Sequence, residues 1–255
     1  MMKNIKKLLD EEVAFRNTST ELNYDKPDPL LIAKRYQDEY ISLVCALFAY
    51  GNAKHIVKFL DSLDFILLDK DEDTIKKELT TLYRFQNNED VVNFFIALRR
   101  LKQEDSLENI FLQGYKKENS ILEGIDSIIK NIQKSNPYYS DGYKFLISKE
   151  LKRDKSGKIK FIGNSPYKRY NMFLRWVVRK DNLDMGLWSN VDKKDLILPL
   201  DTHTFKVSQK LGLLSRKTYD LQSAILITEK LKEFDSKDPI KYDFALYRIG
   251  QERKI

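Results

Sequence analysis

The stretch Leu198-Pro199-Leu200-Asp201-Thr202-His203-Thr204-Phe205-Lys206-Val207 passes from an extended, proline-containing run into helical spacing. Asp201 stands where a side-chain oxygen accepts the first free N–H groups of a helix, those of His203 or Thr204, and Val207, Leu211 and Leu214 supply that helix's apolar face. Further along, Leu221, Ala224, Ile225 and Thr228 mark the next helix, and Asp238-Pro239 opens a last one with Ile240, Phe244 and Tyr247 inward. In the other direction, Ser165-Pro166 can begin a helix, since proline is tolerated in a first turn, and Met172, Phe173, Trp176 and Val177 form its apolar face. Lys168, Arg175 and Arg179, seven and four residues apart, share another face and read as a basic stripe.

Earlier in the chain the helical spacing repeats. Residues 39–50 are apolar nearly all round, the pattern of a helix buried in a core, and Gly51-Asn52 ends it. Ile56, Phe59, Leu60 and Leu63 form one stripe, Val91, Phe94, Phe95 and Leu98 another, and Leu122, Ile125, Ile128, Ile129 and Ile132 a third. Turn-rich sequence over 136–142 and 154–157 separates two helical lobes, 1–140 and 141–255, that form a single structural unit. Residues 158–162 alternate as a short strand would. The fold class expected is all-α.

Composition narrows the chemistry. Across 255 residues there is one cysteine, Cys45, and there are two histidines, His55 and His203, which argues against disulfides, a zinc ribbon, an iron–sulfur cluster or a histidine-rich metal site. No apolar run of signal or membrane-spanning length occurs, so a cytoplasmic protein is expected. The net charge of +7 is concentrated: residues 141–180 hold twelve Lys and Arg against three acids, a net of +9, and the remainder is near neutral. Such a patch fits a polyanion-binding face, and it equally fits a solvated lysine-rich loop.

The quoted run, with Leu211-Gly212-Leu213, resembles the aspartate motif of the helix-hairpin-helix DNA glycosylases, the superfamily of endonuclease III and the 8-oxoguanine glycosylases. There a hydrophobic-Asp-Thr/Val-His stretch opens a helix that ends in Arg/Lys-Leu-Gly. Tyr242-Asp243-Phe244-Ala245-Leu246-Tyr247 and Gly250-Gln251 are similar to the superfamily's closing helix. Lys168-Arg169-Tyr170-Asn171-Met172-Phe173-Leu174-Arg175-Trp176-Val177-Val178-Arg179 and Asp184-Met185-Gly186-Leu187-Trp188 look like a bacterial family of largely uncharacterised proteins similar to archaeal 8-oxoguanine glycosylases. The resemblance covers roughly the last hundred residues; before Lys144 it rests on Ala46-Leu47-Phe48-Ala49-Tyr50-Gly51.

This resemblance implies a two-lobed helical fold with the active site in the cleft between lobes, Lys168 as nucleophile and Asp201 as the companion carboxylate. A lysine amine that attacks the sugar C1′ must first lose its proton, and a carboxylate nearby stabilises positive charge developing on the sugar. Lys168 lies early in a helix, where the dipole disfavours a cation, with Arg169 and Arg175 as like charges close by. A surface lysine in a basic patch is the alternative. For Asp201, helix cap and catalyst are compatible roles.

By the same resemblance, Arg175, Asp243 and Tyr247 contact the flipped base, with Trp188 a second stacking candidate; the alternatives are Tyr247 and Trp188 as core and Asp243 as a surface acid. Arg169, Arg179 and His203 are expected at DNA phosphates. The family's Leu-Pro-Gly-Val-Gly hairpin is replaced by Ile162-Gly163-Asn164-Ser165-Pro166-Tyr167, in which Gly163, Asn164, Ser165 and the helix start can still hold a phosphate. Asn52 is either a helix-end residue or the wedge that fills the space left by the base. The activity implied is a bifunctional DNA glycosylase and AP lyase acting as a monomer on double-stranded DNA with an oxidised purine, 8-oxoguanine foremost, without cofactor or metal. The alternatives are a glycosylase for alkylated purines or oxidised pyrimidines, and a non-catalytic DNA-binding module on the same scaffold.

Overall fold

The computed structural model describes residues 2–252, and among them the chain forms thirteen α-helices and three short 3-10 turns with no strand. The first helix, α1, is Met2–Arg16. The chain then divides into two compact units: a continuous one, Tyr24–Glu150, and a discontinuous one in which Met1–Asn23 joins Leu151–Ile255. The contiguous halves drawn from the turn-rich sequence thus give way to a split in which the chain's start belongs with its last hundred residues.

The continuous unit holds α2 (Leu30–Tyr36), α3 (Glu39–Leu47), α4 (Ala53–Asp61), α5 (Glu72–Glu78), α6 (Asn88–Glu104), α7 (Leu107–Tyr115), α8 (Ile121–Ser135) and α9 (Asp141–Ile147). Residues 40–47 of α3 are all buried, as expected of a helix that is apolar on every side. The stripes on α4, α6 and α8 also face the core. Short polar side chains start these helices: Asp38, Asn52, Asp71, Ser106, Ser120 and Ser140 each accept a first-turn N–H, and Asn87 forms a reciprocal capping box with Asp90.

In the discontinuous unit α1 is followed by α10 (Lys168–Val178), α11 (Thr202–Lys210), α12 (Leu221–Lys232) and α13 (Asp243–Gln251). Three sets of contacts fasten α1 and the turn after it to the distant part of the chain. The Tyr242 hydroxyl donates to Asp10 at 2.9 Å, Arg16 pairs with Glu252 at 2.5 Å, and Asn182 bonds through backbone and side chain to Asn17. Two local expectations are corrected here. The helix expected from Ser165-Pro166 begins at Lys168, because Tyr167 is left-handed (φ 46°) and turns the chain after the proline. The strand expected over 158–162 reduces to one bridge between Arg153 and Ile159, because Asp154 gathers the N–H groups of Ser156 and Lys158 into a turn where a ladder would have to run.

Within the continuous unit, α7 and α8 approach closely at two glycines. A Cβ on Gly114 would run into the backbone of Glu123 and one on Gly124 into the Phe111 ring, while the Ser127 hydroxyl donates to Ile110 O at 2.7 Å. Helix propensity alone would make Gly114→Ala stabilising by roughly 0.5–1 kcal/mol. The backbone clash reverses the sign, and denaturant unfolding should show a loss of about 1–3 kcal/mol.

Candidate functional site

Lys168 is the first residue of α10 and half-buried. Asp201 is the N-cap of α11, also half-buried, and its Oδ1 accepts the Thr204 N–H at 2.7 Å, one of the two bonds expected for it. Both helix starts belong to the discontinuous unit. His203, in the first turn of α11, is exposed, and the helix lies so near α13 that a Cβ on Gly250 would come within 3.0 Å of the His203 Cβ.

The segment standing where the family has its glycine hairpin is organised by Asn164, which was expected at a phosphate and is instead buried on backbone groups. Its side chain accepts from Lys152 N at 3.0 Å and donates to Lys160 O at 2.6 Å, and its own carbonyl accepts from Leu221 N at 3.0 Å. Gly163 and Ser165 on either side are exposed, with Gly163 at φ +80° and open space around its Cα. Arg169 is half-buried in the first turn of α10.

The expected basic stripe on α10 takes a different form. Arg175 and Arg179 are buried, and the acids that meet them come from three other segments. Arg175 donates Nε–H to Asp184 at 3.1 Å and Nη1–H to Asp243 at 2.6 Å, and its guanidinium lies 5.5 Å from the Phe244 ring centroid. Arg179 donates to Asp184, to Asp238 at 2.8 Å and to Asp181 at 3.0 Å. Asp181 Oδ1 in turn accepts the N–H groups of Leu183 and Asp184, both at 2.8 Å. The loop that carries these aspartates is zipped to the end of α10 by Met185 N to Trp176 O and Trp188 N to Val177 O, each 2.8 Å. A small cavity lies beside the cluster, lined in part by Arg16, Arg179, Asp181 and Phe244.

Burial and charge act unequally on these carboxyls. Burial pushes Asp243 up to about 6 despite Arg175, with the charges of Asp201 and Asp184 adding to the rise. Asp184 is also raised by burial, against Arg175 and Arg179. Burial acts to raise Asp181 as well, but Arg179 and its two backbone bonds hold it below the ordinary value.

Arg179, expected at a phosphate, is therefore enclosed by Asp181, Asp184 and Asp238 and presents no exposed face. Arg175 and Asp243, expected to face a base, meet each other. The like charge Arg175 was expected to exert on Lys168 is offset by its two carboxylate partners. Trp188 is buried edge-on against Phe173, centroids 5.3 Å apart, so it packs as core. Tyr247 remains half-buried on α13, with the Arg248 guanidinium 5.7 Å from its ring. Asn52 lies in the other unit, where its side chain caps α4 by accepting Lys54 N at 3.0 Å. Asp184 and Asp238 are ion-pair partners that the sequence reading did not assign to these arginines. The signal available was Arg175 between Leu174 and Trp176, a charge among apolar neighbours that demands a buried counter-charge.

Among the described residues no group of three or more His, Cys, Asp or Glu is placed to hold a metal ion. A family model described as "Protein of unknown function (DUF2400)" matches residues 28–252. No curated protein and no solved structure matches.

Two measurements check the network. Arg179→Ala should cost about 3–5 kcal/mol in chemical denaturation, because it leaves Asp184 and Asp238 short of a counter-charge indoors; an exposed arginine would cost under about 1 kcal/mol. The second concerns pH. Asp243 holds its proton more tightly folded than unfolded, so between about pH 4 and 6 the native state binds more protons and this group's contribution to stability falls as pH rises. Asp243→Asn lacks that titration. The difference in unfolding free energy should therefore shift against the native protein from pH 4 to 6 and level off above.

Proposed function

With the chain belonging to DUF2400, a family of proteins of unknown function, we propose from its own residues that it is a bifunctional DNA glycosylase of helix-hairpin-helix type. Lys168 is the nucleophile and Asp201 the companion carboxylate, and the substrate is duplex DNA carrying an oxidised purine, with 8-oxoguanine as the test lesion. The observation that supports this reading best is the arrangement of α10, α11 and α13. Lys168 and Asp201, 33 residues apart, occupy the starts of two helices in one compact unit, and Arg175 from α10 bonds Asp243 of α13, which feels the charge of Asp201.

In this chemistry the neutral Lys168 Nζ attacks C1′ as the C1′–N9 bond breaks, and the base leaves with its bonding electrons and takes up a proton. Asp201, oriented by the Thr204 N–H, faces the positive charge that builds on the sugar. Loss of the amine's protons and opening of the sugar ring give a Schiff base; removal of a C2′ proton then expels the 3′ phosphate, and water releases the lysine. The phosphate-binding role moves from Arg179 to the exposed cations of the 152–160 turn, Lys155, Lys158 and Lys160, together with Arg169 at the helix start.

Borohydride in the presence of duplex containing 8-oxoguanine should trap a covalent protein–DNA adduct with the native protein and none with Lys168→Gln, which keeps its DNA affinity. Absence of an adduct from the native protein would reject the lysine mechanism, and an undiminished adduct from Lys168→Gln would move the nucleophile to another lysine. Asp201→Asn should fold, since asparagine still caps α11, and release base slowly. Replacing Lys155, Lys158 and Lys160 together by alanine should weaken binding to damaged and undamaged duplex alike, flattening the log–log salt slope by about 0.9 for every phosphate that is no longer neutralised.

A further inference from the structure

The continuous unit carries a feature that the lysine chemistry does not use. At the tight turn of residues 83–86, where Tyr83 and Gln86 exchange backbone bonds of 3.0 and 2.9 Å, Tyr83 points inward to stack on Phe59 at 4.3 Å. Arg84 and Phe85 point outward. Gln86 fixes the turn to the start of α9 by donating to Gly142 O at 2.8 Å, which sets Phe85 beside Phe145 of α9 at 5.2 Å. Tyr50 completes a three-ring cluster, edge-on to Phe145 at 5.0 Å and within 5° of parallel to Phe85. The Arg84 guanidinium lies 5.9 Å from the Tyr50 centroid and 5.5 Å from that of Phe85, and Lys144 Nζ lies 5.2 Å from the ring of Tyr139.

These rings are not hidden. Phe85 is 61% exposed, Phe145 44%, Tyr139 72% and the neighbouring Leu82 73%. Among the described residues neither Arg84 nor Lys144 forms an ion pair, and Arg84 is held at φ 53°, a left-handed conformation that a non-glycine residue adopts at a cost. Exposed aromatic side chains scattered singly need no explanation, but a packed group of rings beside cations that form no ion pair does.

We propose that this surface binds single-stranded nucleic acid by stacking unpaired bases on Phe85, Phe145 and Tyr139 while Arg84 and Lys144 contact phosphates. The combination selects its occupant. Bases within a duplex already stack on one another and offer no free face, whereas an unpaired base offers a flat face to each ring and a phosphate to each cation. An acidic protein segment would engage the cations and leave the rings wet. The surface lies in a different unit from Lys168, so its function stands apart from the glycosylase reading.

The test is binding of the full-length protein to a short, undamaged, fluorescent oligothymidine, with polyglutamate as a charge-only competitor. Phe85→Ala and Phe85→Leu should each weaken binding by about tenfold, since leucine restores apolarity but no π face. Tyr139→Ala, on a separate segment, should weaken it too, and Lys168→Gln should bind as the native protein does. Melting temperatures of the Phe85 and Tyr139 variants should stay near native because these rings are exposed. Native affinity in Phe85→Leu, or displacement of the oligonucleotide by polyglutamate at equal charge, would overturn the proposal. A missing borohydride adduct alongside ring-dependent oligothymidine binding would reject the lysine mechanism and leave this surface standing.

Discussion

The arrangement of the discontinuous unit depends on two arginines that have been taken out of water. Arg175 and Arg179 face four aspartates, Asp181, Asp184, Asp238 and Asp243, drawn from the loop after α10, the approach to α13 and α13 itself. Removing two guanidinium groups from water is expensive, and their attraction to carboxylates roughly offsets that cost rather than adding much net stability. What the network supplies is selectivity among arrangements. Sliding α10 by one turn against α13 would leave at least one buried charge without its partner, a penalty no apolar repacking could recover. Lys168 sits two turns from Arg175 on the same helix, so its position is set by where Arg175 must be.

The sequence made some of this legible. The stripes at 91, 94, 95, 98 and at 122, 125, 128, 129, 132 became α6 and α8 because a single boundary between core and solvent produces that spacing, and nothing distant is needed to read it. Asp201 could be read as a cap because its partner, Thr204, is three residues away. Arg175 and Arg179 misled for the opposite reason. A charge on a helix face has the same sequence spacing whether it faces water or faces acids such as Asp238 and Asp243, about sixty residues further on. Nor does any local pattern in α1 announce that Asp10 will meet Tyr242. The strand expected at 158–162 failed on a competition the alternation could not reveal, that of the Asp154 side chain for the same backbone N–H groups.

Charge counted along the chain also differs from charge offered to a ligand. Of the twelve cations between 141 and 180, the two on the buried face of α10 are neutralised by their aspartates, and Lys144 and Lys149 belong to the other unit. Of the others, Lys155, Lys158 and Lys160 are exposed on the turn shaped by Asp154 and Asn164.

Arginine therefore does two different things in this chain, and the difference comes from what each guanidinium can reach. At Arg175 the neighbours are apolar residues of its own helix and carboxylates from elsewhere, so the charge is buried, matched and fixed in direction. Arg84 occupies the tip of a four-residue turn whose polar groups are already consumed, Tyr83 and Gln86 by each other's backbones and the Gln86 side chain by Gly142. With no carboxylate in reach, the faces of Tyr50 and Phe85 are what remain to it, and a ring quadrupole attracts a cation without neutralising it. Such a cation keeps its full charge at the surface. That is the condition under which it can still engage an anion arriving from solution.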